Sequence, residues 1–165
     1  MSDAVVVRAA DMTGPDAAAV AELVGAYLRQ TEREKAEHGF GASLQDVLSD
    51  RYQREVDDPA SAYRGHQVYL ADVDGWTAGV VIVHDVDGVR EIKRLWADPQ
   101  VRGRGVGHAL LCAAIASAER PVRLSVWEWR APAIGLYESR GFVRVEPWDD
   151  RPGLVCMVRS PGSAA

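Results

Sequence analysis

Cysteine is scarce: there are two in 165 residues, Cys112 and Cys156. Their separation suits neither a disulfide framework nor a zinc ligand set, so a reducing cytoplasm is the expected location. The four histidines, His38, His66, His84 and His108, lack ligand spacing, and no metal is expected. No run of about 18 apolar residues occurs, so no membrane-spanning helix is expected. The opening MSDAVVVRAA has neither the basic region nor the long apolar core of a secretory leader. Positive charge is outnumbered, with 19 Lys and Arg against 24 Asp and Glu and a net charge of −5. That balance argues against a general nucleic-acid binder. It is compatible with a cationic substrate, although ordinary solubility explains it equally well. The remaining composition, 47% apolar and 26% charged, is that of one globular domain over residues 1–165, with flexible tails expected at 1–4 and 160–165.

Val5-Val6-Val7 reads as a first strand. Ala17, Val20, Leu23, Val24, Tyr27 and Leu28 recur at helical spacing, and the polar run from Gln30 to Gly39 predicts that this helix ends or frays there. A second helix is expected to start at Ser43-Leu44-Gln45-Asp46 and to close at Pro59. From Gln67 the period changes to that of strands. Asp74-Gly75 and Asp87-Gly88 each separate two strand-like runs, and Asp-Gly in that position is a strong hairpin signal. Three antiparallel strands are thus predicted, and the strand Glu91 to Ala97 closes the meander. A helix is predicted up to Arg120, then a strand at Val122–Trp127 parallel to the preceding one. Ala131-Pro132 opens a short helix with Gly141 as its left-handed cap, and strands at Phe142–Val145 and Gly153–Val158 complete the chain. The expected fold is α/β, an α+β mixed sheet that is mostly antiparallel, with one central parallel pair and flanking helices.

The densest signal is Arg102-Gly103-Arg104-Gly105-Val106-Gly107, between a strand and a helix. Glycines at alternating positions tolerate positive φ and let a ligand approach the backbone. The following helix start presents unpaired N–H groups and a partial positive charge, the ingredients of a phosphate cradle. A Walker loop would end in Gly-Lys-Ser/Thr, whereas this turn runs into Gly107-His108. A dinucleotide fingerprint would place its third glycine where His108 stands, and would follow the first strand of a βαβ unit.

The loop resembles the coenzyme A pyrophosphate loop of the GNAT N-acetyltransferase superfamily. Ala133-Ile134-Gly135-Leu136-Tyr137-Glu138-Ser139-Arg140-Gly141-Phe142 is similar to the second signature of that family, A-x-x-L-Y-x-x-x-G-F. The resemblance spans about Val68 to Met157, and residues 1–66 fit by element order alone. It looks like a small bacterial member of unassigned substrate. It implies a GNAT acyl-CoA N-acyltransferase fold and transfer of the acetyl group of acetyl-CoA to a primary amine of a small molecule or peptide, by direct attack in a ternary complex. Homodimers are common in the family. A catalytically silent acyl-CoA-binding sensor is the alternative.

Such a reaction has definite demands. An amine of pKa ~10.4 is unprotonated in only about one molecule in two to three thousand at pH 7, so a base is needed, along with oxyanion donors and an acid for the leaving thiolate. The resemblance implies Glu91 as base and Tyr137 as acid. It implies Arg102, Gly103, Arg104, Gly105, Val106, Gly107 and His108 around the pyrophosphate, and backbone groups of Leu95, Trp96 and Ala97 along the coenzyme arm. Alternation would put Glu91, Lys93, Leu95 and Ala97 on one face, where Glu91 can equally pair with Lys93 or a cation on a neighbouring strand. Arg130 stands where the family often has an asparagine, and a guanidinium there would reach a phosphate rather than accept a hydrogen bond. Asp46, Asp50 and Glu55 are candidates to attract an amine. Trp127, Trp129 and Trp148 suit an acceptor pocket, the core or a dimer interface, and Cys112 reads as a small buried side chain.

Overall fold

The computed structural model describes residues 4–40, 48–116 and 118–162. The elements are β1 (Val5–Ala9), α1 (Asp16–Glu37), α2 (Asp50–Asp57), α3 (Pro59–Ala62), β2 (Gln67–Val73), β3 (Trp76–Val86), β4 (Val89–Ala97), α4 (Val106–Ile115), β5 (Val122–Trp127), α5 (Ala131–Ser139), β6 (Val143–Val145) and β7 (Leu154–Arg159). A single 3-10 turn, Pro99–Val101, lies between β4 and α4. The strands hydrogen-bond in the order β1-β2-β3-β4-β5-β7-β6. The sheet is mostly antiparallel, and its parallel pair is β4 with β5, as expected. Chain order did not foretell that β7 comes back between β5 and β6, antiparallel to both.

Both predicted hairpins form. Asp74 and Gly75 have φ of 51° and 83°, and Asp87 and Gly88 have 51° and 77°. Two successive left-handed residues make a turn whose twist matches that of the strands it joins.

The chain divides into two compact units, Met1–Ile82 with Arg94–Ala114 and Val83–Lys93 with Ile115–Ala165. In the first, β1 runs antiparallel to β2, from Val5↔Val73 to Ala9↔Tyr69. Its core gathers Val20, Leu23, Val24 and Leu28 of α1 with Leu48, Tyr63, Val68, Leu70, Val80, Ile82 and Trp96. The apolar face read from the sequence is therefore the buried one. α1 continues into the polar stretch and ends at Glu37, within the run Gln30 to Gly39 where its end was expected. Its Glu, Arg, Lys and Ala are good helix formers, and side-chain bonds such as Gln30 to Glu34 at 2.7 Å and Lys35 to Glu32 at 3.1 Å support successive turns.

The predicted start of the second helix at 43–46 lies outside the described residues, and Asp46 with it. Within them α2 starts at Asp50, where the Ser49 side chain accepts from the Tyr52 N–H. Pro59 closes α2 as expected and then opens α3, since a first-turn residue needs no N–H.

In the second unit β5 pairs with β7 from Val122↔Arg159 to Trp127↔Leu154. Leu124, Val126, Ile134, Phe142, Cys156 and Met157 are buried there. α5 carries Pro132 in its first turn, and Gly141 takes the left-handed conformation at its end, with φ of 88°. Of the expected tails, residues 1–3 and 163–165 lie outside the described residues. Among the described residues no helix is long and apolar enough to cross a membrane, and none form a His, Cys, Asp and Glu group able to hold a metal ion.

Candidate functional site

β4 delivers the chain into the glycine-rich turn. The Asp98 N–H bonds to Ala78 O at 2.8 Å, and the Asp98 carboxylate accepts from the Gln100 N–H at 2.8 Å, capping the 3-10 turn. Gly103 and Gly105 each have φ of 83°, a conformation that l-residues with a Cβ resist. A Cβ built on either would meet nothing within 4 Å, so the backbone here borders open space. The first helical bond runs from the Ala109 N–H to Gly105 O at 2.9 Å. The N–H groups of Gly103, Gly105, Val106 and Gly107 donate to no acceptor among the described residues. Several such groups at a helix start, beside glycines whose Cβ direction is open, suit a diphosphate, and the loop therefore fits the coenzyme that its sequence implies.

α4 then ends at Ile115 and not at Arg120. Arg120 precedes Pro121, which disfavours helical backbone, and the Pro121 carbonyl accepts from the Arg90 N–H at 2.9 Å, leading the chain into β5.

The loop arginines are already engaged. Arg102 lays its guanidinium 4.7 Å from the centre of the Trp96 ring and reaches Ala97 O from Nε at 3.4 Å. Arg104 donates from Nη2 to Asp74 at 2.9 Å, which ties the loop to the β2–β3 turn. His108 Nε2 lies 3.6 Å from Cys112 Sγ. Cys112 is only half-buried, contrary to expectation. Gly79, in the interior of β3, was not singled out from the sequence, although glycine within a strand is itself a sign of close approach. A Cβ there would come within 2.8 Å of Val106 Cγ1 and 3.0 Å of Leu110 Cδ1. The first turn of α4 sits where it does because Gly79 has no side chain.

Next to the loop, β4 contains a second feature that sequence reading missed. Arg94 has φ of 56°, so strict alternation is interrupted there. The expected common face holds for Glu91 and Lys93, which are ion-paired at 3.4 Å. The Arg94 guanidinium forks onto Glu55, with Nε–Oε1 at 3.1 Å and Nη2–Oε2 at 3.0 Å. The Tyr63 hydroxyl donates to the same Oε1 at 2.6 Å. Burial, and then the neighbouring Glu55 charge, push the Tyr63 phenol well above its ordinary pKa. Glu55 is therefore spent on Arg94 and Tyr63 and is not a free attractor of amines.

In the second unit β4 is in register with β5 at Arg90↔Val122 and Glu91↔Arg123. Glu91 bridges two cations, Arg123 at 2.9 Å and Lys93 at 3.4 Å, the pairing that alternation had left open. Tyr137 is buried on α5, with its ring 5.9 Å from that of Phe142. The Tyr137 carbonyl accepts from the N–H groups of Arg140 and Phe142 at 3.0 and 3.1 Å, so the α5 C-cap positions the tyrosine. Arg130 caps α5 through its carbonyl, which accepts from the Ile134 N–H at 3.0 Å. Trp127 and Trp129 stack on each other at 4.9 Å, and Arg123 lies 5.5 Å from the Trp148 ring centre.

Known proteins resemble this chain at both levels. Residues 64–144 match the family model of the acetyltransferase (GNAT) domain. Over 122 residues the chain is 31% identical to an uncharacterised N-acetyltransferase of Schizosaccharomyces pombe, covering 66% of this chain and 75% of that protein. Over 126 residues it is 32% identical to the mycothiol acetyltransferase of Thermobispora bispora, covering 72% of this chain and 42% of that protein. The chain thus spans less than half the length of that relative. Its fold is that of yncA, a putative acetyltransferase from Salmonella typhimurium solved with acetyl-CoA, at a TM-score of 0.66 and 21% identity, covering 98% of this chain and 96% of that one. A GNAT acetyltransferase from Staphylococcus aureus superposes with a TM-score of 0.68 at 15% identity, covering 95% and 99%.

Proposed function

The chain belongs to the GNAT acetyltransferase family, and on that premise we propose that it transfers the acetyl group of acetyl-CoA to a primary amine of a small molecule or peptide, by direct attack in a ternary complex. The observation that carries the reading is the Gly103–Gly107 backbone, with its open N–H groups beside two left-handed glycines. Bound acetyl-CoA would supply the activated acetyl group. The loop residues 102–108 hold its pyrophosphate, with Arg130 as a further phosphate contact. Backbone N–H groups at Leu95, Trp96 and Ala97 serve the coenzyme arm and the developing oxyanion. A β4–β5 register of two pairs at the start of β4 supports that assignment. The Tyr137 hydroxyl donates the proton that the leaving thiolate takes up. Glu91 receives the amine proton while bridging Lys93 and Arg123, a position that suits relay through a water. No metal enters the scheme, the cytoplasm is the assigned location, and a homodimer is a matter for sedimentation.

One observation favours the second reading, a silent acyl-CoA-binding module: the assigned base is tied to two cations. Thermal shift with CoA and with NAD, followed by thiol release from acetyl-CoA over an amine panel, separates the readings. Stabilisation by CoA with thiol release supports the transferase. Stabilisation without release from any amine supports the silent module, and a response to NAD alone overturns both.

A further inference from the structure

The Arg94 cluster lies in the first unit and has no part in the scheme above. Arg94 and Glu55 keep only 19% and 13% of their side-chain surface. Burying such a pair sacrifices solvation that its mutual attraction barely offsets, and apolar residues would hold the fold as well. Arg94 also occupies left-handed backbone, strain of a kind that marks functional positions. Two tyrosine rings flank the guanidinium, Tyr27 at 5.8 Å and Tyr52 at 5.5 Å. The Tyr27 ring also meets the Trp96 ring edge-on at 6.1 Å, so Arg94 and Trp96 share one neighbour.

Trp96 supplies the second, independent observation. It is 6% exposed, yet its indole Nε1–H has no hydrogen-bond acceptor among the described residues. A buried donor without a partner is unfavourable until something brings it a lone pair. Glu55 takes Nε and Nη2 of Arg94, leaving Nη1 outside the fork. The face thus carries, among the described residues, a buried indole donor without an acceptor beside a guanidinium between aromatic walls, and Glu55 is already used.

We infer that the face of Arg94 and Trp96 is the acceptor subsite and takes an amine that carries a carboxylate, whose oxygens are received by Trp96 Nε1–H and by the guanidinium nitrogen outside the Glu55 fork. This rests on the transferase reading for the word acceptor, but the carboxylate site can be tested without turnover.

The experiment uses the full chain with CoA or acetyl-CoA, the standard l-amino acids and their decarboxylated amines. Proton–nitrogen spectra of the five indole N–H groups, with Trp96 assigned by elimination through Phe variants of the other four, report binding. The expected result is a downfield shift of the Trp96 signal with at least one amino acid and none with its decarboxylated partner. In turnover, the amino acid should exceed that partner in kcat/KM by about tenfold or more. Trp96→Phe should remove most of the difference in kcat/KM between the amino acid and its decarboxylated partner. An unmoved Trp96 signal across the panel, or equal use of decarboxylated amines, overturns the inference. A shifted signal without thiol release from any amine sinks the transferase reading and leaves the carboxylate site standing.

Discussion

Gly79 and Val106 stand so close that a Cβ on the glycine would lie 2.8 Å from Val106 Cγ1, with Trp96 O at 3.1 Å. The contact sets how near the first turn of α4, and with it the glycine-rich loop, comes to β3. Gly79→Ala should destabilise the protein by about 1–3 kcal/mol through overpacking and weaken CoA binding as the helix start is displaced. Adding Val106→Ala should restore part of both losses. Calorimetry and CoA titration of the two single variants and the double variant check this, and strict additivity would count against the contact.

Gly105 presents a different problem. Space is open around it, but its φ of 83° disfavours any Cβ. Gly105→Val should therefore yield a folded protein, destabilised by about 1–2 kcal/mol, that loses CoA binding because a side chain projects where the diphosphate would rest. Unchanged CoA affinity in a folded variant would remove the loop from the binding site.

For Tyr137, the phenylalanine variant keeps the ring that packs near Phe142 and removes the proton. Turnover should fall about a hundredfold, within the range for general acids, while the CoA dissociation constant changes by less than about twofold. Equal loss of both would make the residue structural.

Glu91 can be separated from its cations. Glu91→Gln should lower kcat/KM about a hundredfold if the carboxylate is the base. Arg123→Gln removes the 2.9 Å partner and should retain most of the rate. A Glu91→Gln enzyme with full activity and a lower Tm would assign the residue to the ion pair alone.

Acid should loosen the first unit through Arg8, which donates to Asp72 at 2.7 Å and to Asp16 at 2.8 Å. The Arg8 hydrogen bonds are the largest cause holding both carboxyls below their ordinary pKa. Because the folded values lie below the unfolded value of about 3.9, this stabilisation is complete above about pH 4 and is lost as pH falls through the folded values. The pairs are partly exposed, so the gain is about 1 kcal/mol or less. Arg8→Met should lower Tm at pH 6, and the difference from the parent should shrink toward pH 3.

The candidate base shows where sequence reading stops. Nothing within a few residues of Glu91 announces Arg123, which lies 32 positions away and reaches it because β4 and β5 align in parallel at Glu91↔Arg123. The fork from Arg94 to Glu55 spans 39 positions and depends on a left-handed residue within a strand, which no local pattern in Arg-rich sequence foretells. The end of α1 was legible, since the polar run Gln30 to Gly39 in which it falls is local.

By itself the sequence determined what a handful of adjacent residues can encode: both Asp-Gly turns, the left-handed glycines of the loop, the Pro132 start and Gly141 end of α5, and the family signature that these segments share. Tertiary structure decided what distant residues do to one another. It inserted β7 between β5 and β6, seated α4 against the bare Cα of Gly79, committed Glu91 and Glu55 to arginines, and left the Trp96 N–H buried without an acceptor among the described residues. Turn and cap preferences arise from the sterics of single residues and are written locally, whereas ion pairs and packing depend on which strands become neighbours, a property of the whole chain.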